Sequence, residues 1–145
     1  TIKRLDGAAM ARQFSLNAIG PALVMKHFLP LMPKAGRSLF GVLSAKVGSI
    51  SDNQLGGWIS YRASKAALNQ ILRTVAIEIA RSKPEVVLAA LHPGTVATPL
   101  SSAYSPTHEV FQPDASAAMM LQVLDRLSPQ QSGGFFDYGG NRLEW

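Results

Sequence analysis

The chain has 145 residues, 47% of them hydrophobic and 16% charged, with a formal net charge of +5 and no cysteine. This composition describes one globular domain with a core of its own. It excludes disulfide scaffolds, thiolate metal sites and cysteine nucleophiles.

Asp6 is placed to cap a helix over about 7–29, with Met10, Phe14, Ala18, Leu23, Val24 and Phe28 near helical spacing. Pro21 lies inside that helix, where it removes a ladder bond and predicts a bend, and Pro30 and Pro33 end it. After a loop, Ser38 to Ser44 is apolar without alternation, the pattern of a strand covered on both faces. Residues 45–57 turn to Gly, Ser, Asp and Asn and read as a long loop beside a strand end. A second long helix is predicted over about 58–81, with Arg62, Asn69 and Arg73 on its polar stripe and apolar residues over most of the rest. Val86 to Leu91 is another non-alternating strand, ending at His92-Pro93-Gly94, and 98–112 carries no clear signal. Pro113-Asp114 opens a third helix to about Leu127 with Ala117, Met120, Leu121 and Leu124 inward, and Phe135 to Tyr138 forms a short last strand. The order α-β-α-β-α-β implies an α/β fold with a parallel sheet of about three strands and right-handed crossovers.

Charge is divided unevenly. Through Lys83 there are 12 basic and 3 acidic residues, and from Pro84 onward 2 and 6. The basic residues stand singly, without the run or interleaved aromatics of a nucleic-acid-binding surface, so no nucleic-acid partner is expected. Lys26, His27, Pro30 and Pro33 break the richest apolar stretch, so no membrane span is expected either. With no signal-peptide pattern at its start, the chain is expected in the cytoplasm.

Tyr61-Arg62-Ala63-Ser64-Lys65 is the sharpest local signal. Four residues apart on a helix, Tyr61 and Lys65 share one face. A free tyrosine, with a pKa of about 10, exchanges protons poorly at neutral pH, and a nearby ammonium lowers that value and makes exchange with a substrate oxygen feasible. By itself the pair also suits an ordinary amphipathic surface. Other chemistries find less support: no G-x-S-x-G elbow accompanies Ser44 or Ser64, and His27, His92 and His108 share no metal-ligand spacing.

The run Tyr61 to Leu68 resembles the active-site helix of the short-chain dehydrogenase/reductase family, and further landmarks follow in the family's order. Asn17-Ala18-Ile19-Gly20-Pro21 is similar to its Asn-bearing helix, and Gly36-Arg37 through Ser44 to its serine strand. His92-Pro93-Gly94-Thr95-Val96-Ala97-Thr98 resembles its Pro-Gly-x-x-x-Thr element, and Gly133 to Tyr138 its last strand. The run Val47 to Asn53 is closest to the carbonyl-reductase-like and cell-to-cell-signalling-factor-like branch.

The resemblance implies an NAD(P)-dependent oxidoreductase of small-molecule carbonyls or alcohols. It makes Tyr61 the proton donor or acceptor and Lys65 its activator and a ribose ligand. Asn17 would anchor a water in the proton relay, and Pro93, Gly94, Val96 and Thr98 would hold the nicotinamide end. A serine hydroxyl would orient the carbonyl, Ser44 being the first choice and Ser49 the second, because Ala45 stands where the family has its second serine. Taken singly, Asn17, Thr98 and Pro93-Gly94 also suit a backbone bond, a helix cap and a turn.

The glycine-rich turn that seats a dinucleotide pyrophosphate has no counterpart in this sequence. The chain is therefore expected to be the C-terminal, catalytic half of a Rossmann-like doubly wound sheet, with NADP or NAD as the family's cofactor and none required for the isolated chain. The alternative is a truncated, non-catalytic remnant. The strand at 39–43 would then present an apolar edge, and a homo-oligomer built through helices 7–29 and 58–81 is expected.

Overall fold

Asp6 starts the first helix as its position implies, its carboxylate accepting from the Ala9 N–H at 2.6 Å and satisfying one of the donors that a helix start leaves open. The structure, a computed structural model, describes residues 1–102 and 109–145. Helix α1 (Gly7–Phe14) runs into a π-helical turn (Ser15–Ile19), α2 (Gly20–Phe28) continues it, and a 3₁₀ turn (Leu29–Leu31) ends it. The single helix expected over 7–29 is thus interrupted immediately before Pro21. A π turn holds one residue more than an α turn, so it rotates the buried stripe away from an uninterrupted count. Leu23, Val24 and Phe28, part of the apolar spacing read along the helix, are about half exposed, and Met25 and Leu29 are buried.

The Lys83 side chain secures the end of this helical arm. It is buried and donates to the carbonyls of Leu29, Pro30 and Met32 at the C-terminus of the arm, where the Leu29 carbonyl also accepts the Met32 N–H.

Strand β1 (Ser38–Leu43), helix α3 (Ile59–Ala80) and strand β2 (Val86–His92) follow, then β3 (Thr95–Val96), α4 (Pro99–Ser102), β4 (Val110–Phe111), α5 (Pro113–Arg126) and β5 (Gly134–Asp137). The sheet is parallel in the order β1-β2-β5, with Leu39 opposite Val87 and Ala90 opposite Phe135. β3 and β4 form a separate parallel pair, which the sequence did not reveal because two-residue strands have no periodicity to read.

β2 explains why its sequence does not alternate. Val86, Leu88 and Ala90 join Met25, Leu29, Leu68, Leu72 and Phe135 on one face of the sheet, while Val87, Ala89 and Leu91 join Val123, Leu124, Leu127 and Phe136 on the other. Both faces are covered, so every position from Val86 to Leu91 is apolar. β1 has a partner on one side only, and Leu43 is 57% exposed there, the apolar edge expected from the sequence.

Two predicted faces require correction. On α5, Ala117 and Leu121 point outward, whereas Ser116, Val123 and Leu124 are buried, because Ser116 bonds the chain after β2 and fixes the rotation of the helix. On α3, Asn69 leaves the polar stripe and is buried against Ser44. Among the described residues no helix is long and apolar enough to cross a membrane.

Candidate active site

The chain enters α3 through three residues with positive φ, Gly56 at 68°, Gly57 at 73° and Trp58 at 45°. Glycine adopts this region without penalty, and Trp58 does not, so contacts must hold it. Arg62 supplies them: its guanidinium donates to the carbonyls of Val47, Gly56 and Gly57 and lies 5.7 Å from the Trp58 ring centroid. The loop before the helix is thereby fastened to its first turn.

Tyr61 stands in that first turn and Lys65 one turn later, with the Lys65 Nζ 6.0 Å from the Tyr61 ring centroid. The ammonium also donates to the Leu43 carbonyl at 2.9 Å, at the carboxyl end of β1. Burial lowers the Lys65 pKa from its ordinary value. Gly48 makes the approach of the β1 loop to this lysine possible, since a Cβ there would stand 2.8 Å from Lys65 Cβ.

Asn17, in the π turn, joins the same helix. Its Nδ2 donates to Ser64 Oγ at 3.0 Å, and Ser64 Oγ donates to the Tyr61 carbonyl at 2.9 Å. Ser64 is fully buried. Its place three residues after Tyr61, on the helix side facing away from solvent, was the sequence signal for this link.

Ser44 and Ser49 are both buried. Ser44 Oγ donates to Asn69 Oδ1 at 2.6 Å, while Ser49 Oγ accepts from the Asp52 N–H at 3.2 Å and lies 3.3 Å from Ser51 Oγ. Ser44 thus faces the body of α3 and Ser49 its own loop.

The residues after β2 form a second group. Buried Ser116 donates to the Pro93 carbonyl at 2.7 Å. Gly94, at φ 75°, lies against the rings of Phe111 and Tyr138, where a Cβ would come within 2.8 and 2.9 Å. Thr98 precedes α4 with its N–H donating to Ser101 Oγ at 3.1 Å, and Ser101 Oγ donates in turn to the Val96 carbonyl. At this helix start it is the Ser101 hydroxyl that reaches back to the Thr98 N–H. His92 packs edge-on to Tyr138, His27 is exposed, and His108 lies outside the described residues.

Ser44 and, through the Leu43 carbonyl, Lys65 lie at the carboxyl end of β1, and Pro93 to Thr98 follow that of β2, where open parallel sheets bind their ligands. The family model described as enoyl-(acyl carrier protein) reductase matches residues 1–128. C-signal of Myxococcus xanthus is 38% identical over 142 residues, covering 97% of this chain and 81% of that protein. The chain belongs to the short-chain dehydrogenase/reductase family.

Solved members of the family share the fold. Carbonyl reductase Sniffer of D. melanogaster superposes with a TM-score of 0.86 at 27% identity, and the NADPH-bound carbonyl reductase from chicken fatty liver with 0.84 at 32%. Each covers the whole of this chain, and the chain spans 60% of each of those structures. Its three parallel strands and flanking helices are that part of the family's Rossmann-like sheet.

Proposed function

We propose that the chain carries the proton-transfer site and the nicotinamide-facing end of an NAD(P)-dependent reductase of small carbonyls, or dehydrogenase of the corresponding alcohols. The observation that carries this reading is the Tyr61 phenol with the Lys65 ammonium beside it, at the carboxyl end of a parallel sheet. The chicken enzyme was solved with NADPH, which favours the phosphorylated dinucleotide.

When bound, the dinucleotide supplies or accepts the hydride. The chain's own residues supply geometry and the proton. In reduction the Tyr61 O–H gives its proton to the carbonyl oxygen as that oxygen gains charge, and in the reverse direction the phenolate takes it back. The Lys65 ammonium stabilises the phenolate and can turn from the Leu43 carbonyl to a ribose hydroxyl. Asn17, tied to the helix through Ser64, anchors the water that continues the relay. Pro93, Gly94, Val96 and Thr98 would hold the carboxamide of the nicotinamide. The hydroxyl that orients the substrate is that of Ser44, which turns from Asn69 to do so, with Ser49 as the second choice.

The residues present fit the nicotinamide end of a dinucleotide, because the lysine amine lies at the strand end where such ligands sit. The pyrophosphate has no glycine-rich turn in this sequence to receive it. Self-association belongs to the same reading, since Leu16, Ile19, Leu23 and Phe28 leave apolar surface exposed on the first helical arm. The comparisons lend no support to a non-catalytic remnant.

The test is dinucleotide-dependent turnover of a panel of aldehydes and ketones by the purified protein, alongside titration of NADPH and NADH. Tyr61→Phe should lower kcat by about 10²- to 10⁴-fold. Retained turnover in that variant, or the absence of saturable dinucleotide binding, refutes the reading.

A further inference from the structure

After β5 the chain turns back on itself. The Asp137 carboxylate closes the turn by accepting from the Gly139 and Asn141 N–H groups, each at 2.9 Å. The returning segment runs antiparallel to β5, with Arg142 opposite Phe136 and the Leu143 N–H on the Phe135 carbonyl at 2.8 Å. Two residues on, the Trp145 ring stacks on that of Phe135, with centroids 5.5 Å apart and planes within 11°. Phe135 is fully buried in the core it shares with α3, so the indole rests on a fixed ring.

From there Trp145 reaches the far side of the sheet. β2 lies between β5 and β1, yet the Trp145 main-chain oxygen accepts both the N–H and the Oγ of Ser51, at 3.1 and 2.8 Å, in the loop that leads from β1 to α3. A serine has one proton to donate. With that of Ser51 committed to Trp145, the 3.3 Å contact between Ser51 Oγ and Ser49 Oγ has Ser49 as its donor, and Ser49 Oγ also accepts the Asp52 N–H. Arg62 fastens the same loop at Val47 and at Gly56 and Gly57. Between those points, among the described residues, the hydrogen bonds from 49–53 to other elements are the two onto Trp145.

We propose that Trp145 is a positioning residue for substrate binding: through Ser51 it holds the middle of the β1–α3 loop, and so fixes the wall against which a small carbonyl compound rests beside Tyr61. The proposal rests on the oxidoreductase reading above. It explains why an aromatic residue on the segment beside β5 is stacked on the core while its main chain is bonded to a loop two strands away. Tyr61 and Lys65 are held by other contacts, so loss of the tie loosens the wall and leaves the chemical step in place.

Trp145→Ala should raise KM for carbonyl substrates about tenfold, with kcat within about threefold of the wild type and its pH profile unmoved. A merely structural loss would instead reduce the active fraction, lowering kcat at constant KM. Trp145→Phe keeps a ring on Phe135 and should restore KM. Ser51→Ala removes one of the two bonds at an exposed position, where folding is not at risk, and should give an intermediate KM. Wild-type KM in both Trp145→Ala and Ser51→Ala overturns the proposal.

Amide exchange at Ser51 gives a readout independent of turnover. Its N–H should exchange slowly in the wild type and in Trp145→Phe and much faster in Trp145→Ala, while the amides of β2 keep their protection. Unchanged Ser51 exchange in Trp145→Ala overturns the proposal as well. A wild-type protein with no turnover overturns the oxidoreductase reading instead, and the exchange measurement still decides whether Trp145 holds the loop.

Discussion

Gly48→Ala tests how closely the β1 loop and helix α3 are fitted. Gly48 is buried, and a Cβ on it would stand 2.8 Å from Lys65 Cβ, 2.9 Å from the Lys65 carbonyl carbon and 3.2 Å from the Ala66 nitrogen. Two of these neighbours are helix backbone, which cannot rotate aside. α3 is itself fixed by Leu68 and Leu72, both with no exposed surface, so the 3₁₀ turn Lys46–Gly48 must give way. Overpacking of this kind costs about 1–3 kcal/mol. In a chain of this length that is a fall in melting temperature of roughly 3–12 °C. Urea unfolding followed by circular dichroism measures it, with Gly7→Ala as the control. Gly7 has nothing within 4 Å of its would-be Cβ and starts α1, so alanine there should be neutral or mildly stabilising. A Gly48→Ala variant as stable as the wild type would show that the turn yields freely and would refute the steric reasoning.

Lys83→Met should lower stability by about 3 kcal/mol, because it removes a buried ammonium shared by the carbonyls of Leu29, Pro30 and Met32, of which Leu29 keeps the Met32 N–H. The urea midpoint should fall at unchanged slope, and a midpoint equal to the wild type would show that water replaces the ammonium. Lys65 makes stability depend on pH. Its pKa is lowered by burial in the native state, so the native protein releases this proton at lower pH than the unfolded chain. Between the two values the unfolded chain binds more protons, and stability rises with pH. Below the native value the penalty is present in full. Lys65→Met should remove that rise, and the difference between the two proteins in urea titrations from pH 8 to 10.5 checks it. Parallel curves would contradict the assigned cause.

Much of this could be read from residue order, for identifiable reasons. Asp6 at a helix start, the unbroken apolar run of β2 and the Tyr61–Lys65 spacing each encode a local geometry that tertiary packing did not change. The faces of α2 and α5 were not legible. A π turn shifts the count by one residue, and Ser116 turns α5 toward the Pro93 carbonyl, a contact made across 23 positions. Asn69 misled for a related reason. An amide on a helix suits solvent by residue type, and only the fold brings Ser44 to it from another element. β3 and β4 are too short to leave any pattern. For Ser116 and Asn69 the missing information was a long-range contact, and for α2 it was a local change of helix type.

The open side of β1 links the lysine to the architecture. In a parallel pair alternate residues of a strand bond toward the same neighbour. Ser38 and Ser44 send their N–H groups to β2, onto the carbonyls of Glu85 and Leu91, so Leu43, in the alternate set, directs its carbonyl away from β2. That carbonyl is the one Lys65 occupies. A lysine that caps the last unpaired carbonyl of an edge strand is held by a single main-chain acceptor, with no carboxylate within salt-bridge distance among the described residues. Its position therefore depends on what lies alongside β1, while the Tyr61 carbonyl is held by Ser64. In the proposed proton-transfer pair the Tyr61 main chain is held within its own helix turn and the Lys65 ammonium by the edge of the sheet.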